Sequence, residues 1–176
     1  MAEYRFDLRV DIHDVDHNGV ARASSLLRYL QSAAQAQLTE NGLSYNALKD
    51  ASRVFMISRI RMEFFEPVYA YQPLSAFTYP CESRGYSFLR CYRLERDGTT
   101  VGRAASIWAL VDIEHHSLVR VDAFRLPLSL GAPIPDLTVG RIRLPAQMNA
   151  VGQYAVRYSD ADQNKHMSPR APRTSR

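Results

Sequence analysis

Two cysteines, Cys81 and Cys91, are all that the 176-residue chain contains, too few for a disulfide framework. No run of 18 apolar residues occurs, which argues against a membrane-spanning helix. Neither a secretory segment nor an Arg/Ser-rich transit extension precedes the first strand-like residues at Tyr4, so a cytoplasmic protein with free thiols is expected. A glycine-rich phosphate loop is also missing, and nucleotide chemistry is not indicated. The five histidines, His13, His17, His115, His116 and His166, do not combine with cysteines or acids at metal-ligand spacing. His13 and His17 are four apart, but their segment reads as strand end and turn. Neither metal nor cofactor is expected.

The charge is less one-sided than it looks. The net charge is +4 and the isoelectric point about 9.2, but Arg170, Arg173 and Arg176 supply three of the four charges. The rest of the chain is nearly neutral and its basic residues are not interleaved with aromatics, which disfavours a nucleic-acid binder. With 46% hydrophobic and 23% charged residues the chain reads as globular. Its length suits one domain plus a fragment rather than two domains of ordinary size.

From Tyr4 to Ile12 the residues alternate, with Phe6, Leu8, Val10 and Ile12 on the apolar side, which predicts a half-buried strand. A polar turn, His13 to Gly19, precedes a helix with Ser24 as its N-cap, Leu26, Leu27, Leu30, Ala33, Ala34 and Leu38 as its apolar stripe, and Asn41-Gly42 as its stop. A short second helix is expected over Ser44 to Lys49. Strand patterns then fill about 70 residues. Met56, Ile60, Met62 and Phe64 form one face of the first, followed by Leu74 to Cys81, Tyr86 to Glu95, Thr99 to Asp112 and Leu118 to Val121. Asp97-Gly98 makes a hairpin turn and Gly85 another. One long helix among antiparallel strands predicts an α+β fold in which a curved sheet wraps the helix. Residues 124–150, punctuated by proline and glycine, read as an ordered linker. Strand-like alternation resumes over Tyr154 to Tyr158.

Asp14, Asp16 and Asn18 return as Asp160, Asp162 and Asn164 at a constant offset of 146 residues, and the strand residues Val10 and Ile12 return as Val156 and Tyr158. Such self-similarity predicts a duplicated unit. The expected organisation is a complete domain over 1–123, a linker over 124–150 and the start of a second copy over 151–176.

The stretches DVDHNGVARASSLLRYLQSAA, NGLSY, VGRAASIWALVDIEHHSLVRV and YSDADQNKHM resemble the acyl-acyl carrier protein thioesterases, a family of tandem hotdog domains. Gly102-Arg103-Ala104 with Ser106 and Trp108 resembles the family's first domain, and the Asp-x-Asn-x-His element its second. The resemblance implies a hotdog fold, with the acyl-chain cavity in the first domain and the catalytic residues in the second. It implies an enzyme that hydrolyses a fatty acyl thioester on acyl carrier protein to a free fatty acid in fatty-acid biosynthesis. Hydrolysis needs a base to activate water and donors for the oxygen that gains charge. By resemblance Asn164 positions the carbonyl or water, His166 assists proton transfer and Asp162 orients or activates its partner. Spaced at i, i+2 and i+4 on an extended segment, these side chains can share a face.

The first copy has Val20 where the second has His166, so it lacks a proton-transfer group. Its Asp14 and Asp16 could act in the manner of single-domain acyl-CoA thioesterases, or the unit could be a non-catalytic module that binds acyl chains or dimerises. The tail from Ser168 to Arg176 departs from the family. Pro169 and Pro172 oppose a helix where the family begins one, and the expectation is a truncated chain of poor activity. Leu26, Leu27, Leu30 and Trp108 either line the acyl cavity or form plain core. Arg59 and Arg61 either meet the acidic carrier protein or form a solvated sheet face. Cys81 and Cys91, on opposing strands about Gly85, are expected to be buried structural thiols. Hotdog units normally pair, so a homodimer or other self-association is expected.

Overall fold

The computed structural model describes residues 3–150, 152, 153, 155, 157 and 158. The chain divides into two units, Met1–Val139 and Gly140–Arg176, and the strands and helices of the described residues lie in the first. In chain order this unit contains β1 (Tyr4–Arg9), a 3-10 turn (Ile12–Asp14), α1 (Ala23–Glu40), α2 (Tyr45–Asp50), β2 (Arg53–Phe64), β3 (Pro73–Pro80), β4 (Phe88–Arg96), β5 (Thr99–Asp112) and β6 (Ser117–Val119). The strands form one antiparallel sheet in the order β1-β3-β4-β5-β2, with β6 added to β5.

α1 presents Leu26, Leu30, Ala33, Ala34, Gln37 and Leu38 as its buried stripe. Ala33 and Ala34 are fully buried, and their small side chains let the helix axis approach the sheet. Leu30, 1% exposed, contributes about 2 kcal/mol by leaving water. These residues meet Val10, Leu74, Ala76, Tyr92, Leu94, Val101 and Ala104 in the main core. The helix stops as expected. Gly42 takes φ +80°, and the N–H groups of Asn41, Gly42 and Leu43 return to the last carbonyls. A long helix held in a curved antiparallel sheet is the hotdog architecture.

Three local expectations are corrected. The N-cap position is Arg22, not Ser24, and it makes no side-chain cap bond. Ile12, expected on the inner side of the first strand, is 51% exposed because β1 ends at Arg9 and Ile12 opens a 3-10 turn whose Asp11 side chain accepts from His13 N–H. In β2 a bulge between Ile57 and Arg59 shifts the alternation, so that Ile57 opposite Trp108 shares a face with Ile60 opposite Ser106. Met56, expected beside Ile60, therefore lies on the other face. The short helix forms with Ser44 as its cap, its hydroxyl accepting from Ala47 N–H at 3.1 Å. At Asp97-Gly98 both residues take positive φ, 50° and 78°, as a two-residue hairpin turn requires.

The segment read as a linker is structured over its first part. Gly131 N–H donates to Pro80 C=O at 2.8 Å, and Ile134, Leu137 and Val139 pack on Tyr79, Cys81, Cys91 and Ala105. These residues lie on the sheet face opposite α1. Residues 131–139 thus form a strap across the back of the sheet, and the first unit runs past 123 to Val139.

Candidate functional site

The polar turn between β1 and α1 is held by its own carboxylates. Asp16 Oδ1 accepts from the N–H groups of Asn18 and Val20 at 2.9 and 3.0 Å, an Asx turn that closes the loop. Those backbone donors, Val20 foremost, hold the Asp16 carboxyl below its ordinary range. Asp14 reaches α1 instead. It pairs with Arg28, accepts from Ser25 Oγ at 3.1 Å and accepts from Tyr29 OH at 2.6 Å. Burial alone would raise the Asp14 carboxyl, but Tyr29, Arg28 and Ser25 outweigh it and hold it low. Tyr29, half-buried and bonded to that carboxylate, is pushed up to about 12. Asp14 thus ties the loop to the helix, and Asp16 Oδ1 closes the loop on itself.

Between α1 and the concave face of the sheet the interior is more polar than the alternation suggests. Arg90 of β4 is 5% exposed, and its Nη1 donates to Gln37 Oε1 of α1 at 2.5 Å and to Thr78 Oγ1 of β3 at 3.0 Å. No carboxylate pairs with it among the described residues. Burial lowers its guanidinium from its ordinary value. Beside it, Trp108 Nε1 donates to Ser106 Oγ at 2.7 Å and to Tyr92 OH at 3.2 Å, and Tyr92 OH lies 3.1 Å from Ser106 Oγ. A cavity of about 20 Å³ adjoins this row. Arg90 is its one charged wall, the others being Leu38, Phe55, Pro80, Phe88, Leu89, Trp108 and Leu126. Phe88 and Leu126 also border an open groove of about 880 Å³ lined by Cys81–Ser83 and Val121–Leu130.

Trp108 therefore lines an internal cavity. Leu26 and Leu30 pack in the main core away from it, and Leu27 is half-buried. Arg59 and Arg61 lie on β2, at the edge of the sheet. Arg61 pairs with Glu63 at 2.7 Å, and Glu63 also accepts from Arg103 at 2.8 Å. Asp162, Asn164 and His166 lie outside the described residues. Cys81 and Cys91 are each 1% exposed, with their Sγ atoms 3.4 Å apart. No cluster of His, Cys, Asp or Glu among the described residues could hold a metal ion. No helix among them is long and apolar enough to cross a membrane. Sequence reasoning passed over Arg90, Gln37 and Thr78. The available signal was position: Arg90 is two residues from Phe88 and two from Tyr92, so all three share one face of β4.

None of the curated proteins matches this chain. Its fold resembles the acyl-ACP thioesterase of Bacteroides thetaiotaomicron, with a TM-score of 0.81 at 22% identity, over 93% of this chain and 67% of that one. A protein of Lactobacillus plantarum described as an oleoyl thioesterase gives a TM-score of 0.75 at 18% identity, over 94% of this chain and 66% of the other. The chain thus spans about two thirds of the length of these two. The 1,4-dihydroxy-2-naphthoyl-CoA thioesterase of Synechocystis gives 0.62 at 15% identity, and here 68% of this chain covers 90% of the other. Residues 2–123 match the acyl-ACP thioesterase N-terminal domain. With well over half of its 176 residues in that match, the chain belongs to the acyl-ACP thioesterase family, a family of thioester hydrolases.

Proposed function

We propose that this chain acts in the hydrolysis of fatty acyl thioesters carried on acyl carrier protein, releasing free fatty acids for fatty-acid biosynthesis in the cytoplasm. The match of residues 2–123 to the family's N-terminal domain carries the reading. The first unit contributes the acyl chain's binding interior between α1 and the sheet, where the cavity beside Trp108, large enough for one water as it stands, widens to take the chain. The chemistry belongs to Asp162, Asn164 and His166 at the start of the second copy. In that assignment His166 takes a proton from water as it attacks the thioester carbon, Asp162 orients or activates its partner, and Asn164 steadies the oxygen that gains charge. Arg59 and Arg61 on β2 offer positive charge to an acidic carrier protein. β2 has a ladder partner on one side only among the described residues, β5, which supports pairing of its free edge in a homodimer or other self-association.

The rival in which Asp14 and Asp16 hydrolyse acyl-CoA within the first unit is disfavoured by the bonding of both Asp14 oxygens to α1 and of Asp16 Oδ1 within its own loop. Hydrolysis of acyl carrier protein and acyl-CoA thioesters by the purified chain tests the assignment. His166→Ala should abolish turnover, and the carrier protein substrate should be preferred. An unchanged rate in His166→Ala would overturn the second-copy chemistry, and equal rates on both substrates would overturn the carrier. A chain that binds acyl groups without any turnover would be a binding module.

A further inference from the structure

Among the described residues, Arg90 is a buried cation without an anion. It is 5% exposed, its hydrogen-bond partners Gln37 and Thr78 are neutral, and Gln37 and Thr78 are themselves 5% and 0% exposed. A charge removed from water is costly unless an opposite charge meets it, and folded proteins rarely bury arginine fully unless it is paired. A role in tying α1 to the sheet does not need a guanidinium, since a neutral donor could bond Gln37 and Thr78 equally well. The guanidinium borders a cavity that is otherwise apolar. Two of the cavity's walls, Phe88 and Leu126, separate it from the open groove whose lining includes Val121, Phe124, Leu126, Leu128 and Leu130. Glu82, Asp122 and Arg125 also line the groove, but along Phe124, Leu126 and Phe88 toward Arg90 the surface changes from apolar to a single positive group.

That order matches one kind of molecule, an alkyl chain that ends in a carboxylate. We propose that the first unit binds a free fatty acid with its carboxylate on Arg90, assisted by Gln37, and its alkyl chain along the Val121–Leu130 groove. At about 20 Å³ the cavity has room for one water. Entry of the carboxylate therefore requires Phe88 or Leu126 to swing aside. Phe88 touches Phe55 and Phe124 edge-on at 5.3 and 6.3 Å, contacts that a moderate rotation exchanges. The site is remote from the loop at Asp14. Ser25, bonded to Asp14, and Leu38, in the cavity wall, are separated along α1 by about 20 Å at 1.5 Å per residue. It uses none of Asp162, Asn164 or His166, so binding and hydrolysis are measured separately and fail separately.

Trp108 lines the cavity and is the only tryptophan in the chain, so its fluorescence reports occupancy directly. Laurate, titrated as monomer into the full chain, should change the emission saturably and bind about tenfold or more tighter than dodecanol, the same chain without the charge. Arg90→Met should bind the two equally. Gln37→Glu places a carboxylate beside Arg90, which should raise the thermal midpoint and erase the preference for laurate. This second variant keeps the test decisive should Arg90→Met unfold. Equal binding of laurate and dodecanol by the unaltered chain would overturn the site, as would undiminished laurate preference in Gln37→Glu. An Arg90-dependent preference for hydrolysing chains with a distal carboxylate, without binding of free laurate, would overturn the free acid as ligand.

Discussion

Gly131 meets the sheet where no side chain fits. A Cβ there would lie 2.3 and 2.6 Å from two carbons of the Tyr79 ring, which is 7% exposed beneath the strap. Gly131→Ala should destabilise the chain by about 1–3 kcal/mol in urea unfolding. Gly140→Ala, with no atom within 4 Å of its added carbon, should be close to neutral. A second residue-scale prediction concerns Asp112. Its oxygens accept from the N–H groups of Glu114 and His115 at 3.1 and 3.0 Å and pair with Arg53 at 2.5 Å. The His115 N–H foremost, with the His115 ring and Arg53, holds this carboxyl at about 2. A depressed folded-state value means stabilisation that is complete above the ordinary carboxylate range near ~4 and lost as pH falls toward 2. The urea midpoints of the unaltered chain and Asp112→Asn should differ at pH 6 and converge by pH 2. Neither feature is written in residue type. Gly131 looks like any loop glycine in SLGAP because its constraint comes from Tyr79, and Asp112 looks like any strand-end acid because the turn that bonds it and the distant Arg53 show only in the fold.

At the scale of elements, legibility follows how many faces a strand buries. β1 is exposed on one side, and its alternation of half-buried and exposed residues was open to reading. β5 spans Thr99–Asp112 as its pattern predicts. β4 is covered by α1 on one side and by the strap on the other, so Leu89, Cys91 and Arg90 break any simple alternation and the inward direction of Arg90 is hidden. The bulge that reverses Met56 leaves no mark in composition, since it inserts an ordinary residue, Ser58. The junction of loop and helix carries the prediction for this scale. Asp14 tethers the loop to the first turns of α1 through the side chains of Ser25, Arg28 and Tyr29. Asp14→Asn should cost about 2 kcal/mol and should increase amide exchange in the first turns of α1 more than near Leu38. Uniform exchange along the helix would contradict this tether.

For the whole molecule, the order helix then meander predicted a sheet curved around α1, because only that buries both the helix stripe and the concave strand faces, and the family resemblance implied the hotdog fold. The repeat at offset 146 and the family resemblance supplied the Asp-x-Asn-x-His element. Its three residues lie outside the described structure, so the first unit alone supplies no geometry for them. Long-range packing explains what the sequence did not disclose here. A Pro- and Gly-punctuated segment reads as linker until Leu137, 4% exposed, is found against the sheet. The free edge of β2 leads to a prediction about mass. Light scattering should give a value above the 20.0 kDa of one chain, and a stable folded monomer would count against edge pairing.

The strap also turns the two thiols into a clock. Cys81 and Cys91 sit beneath Ile134, Leu137 and Val139, and the Cys81 thiol is pushed up by its bond to Cys91 and by burial. Cys91 does not line the open groove, so a chromogenic disulfide reagent reaches it when residues 131–139 lift, and its rate of modification at saturating reagent follows the frequency of that lifting. Gly131→Ala should quicken this rate. Without an added label, the chain thus reports how often the back of its own sheet is laid bare.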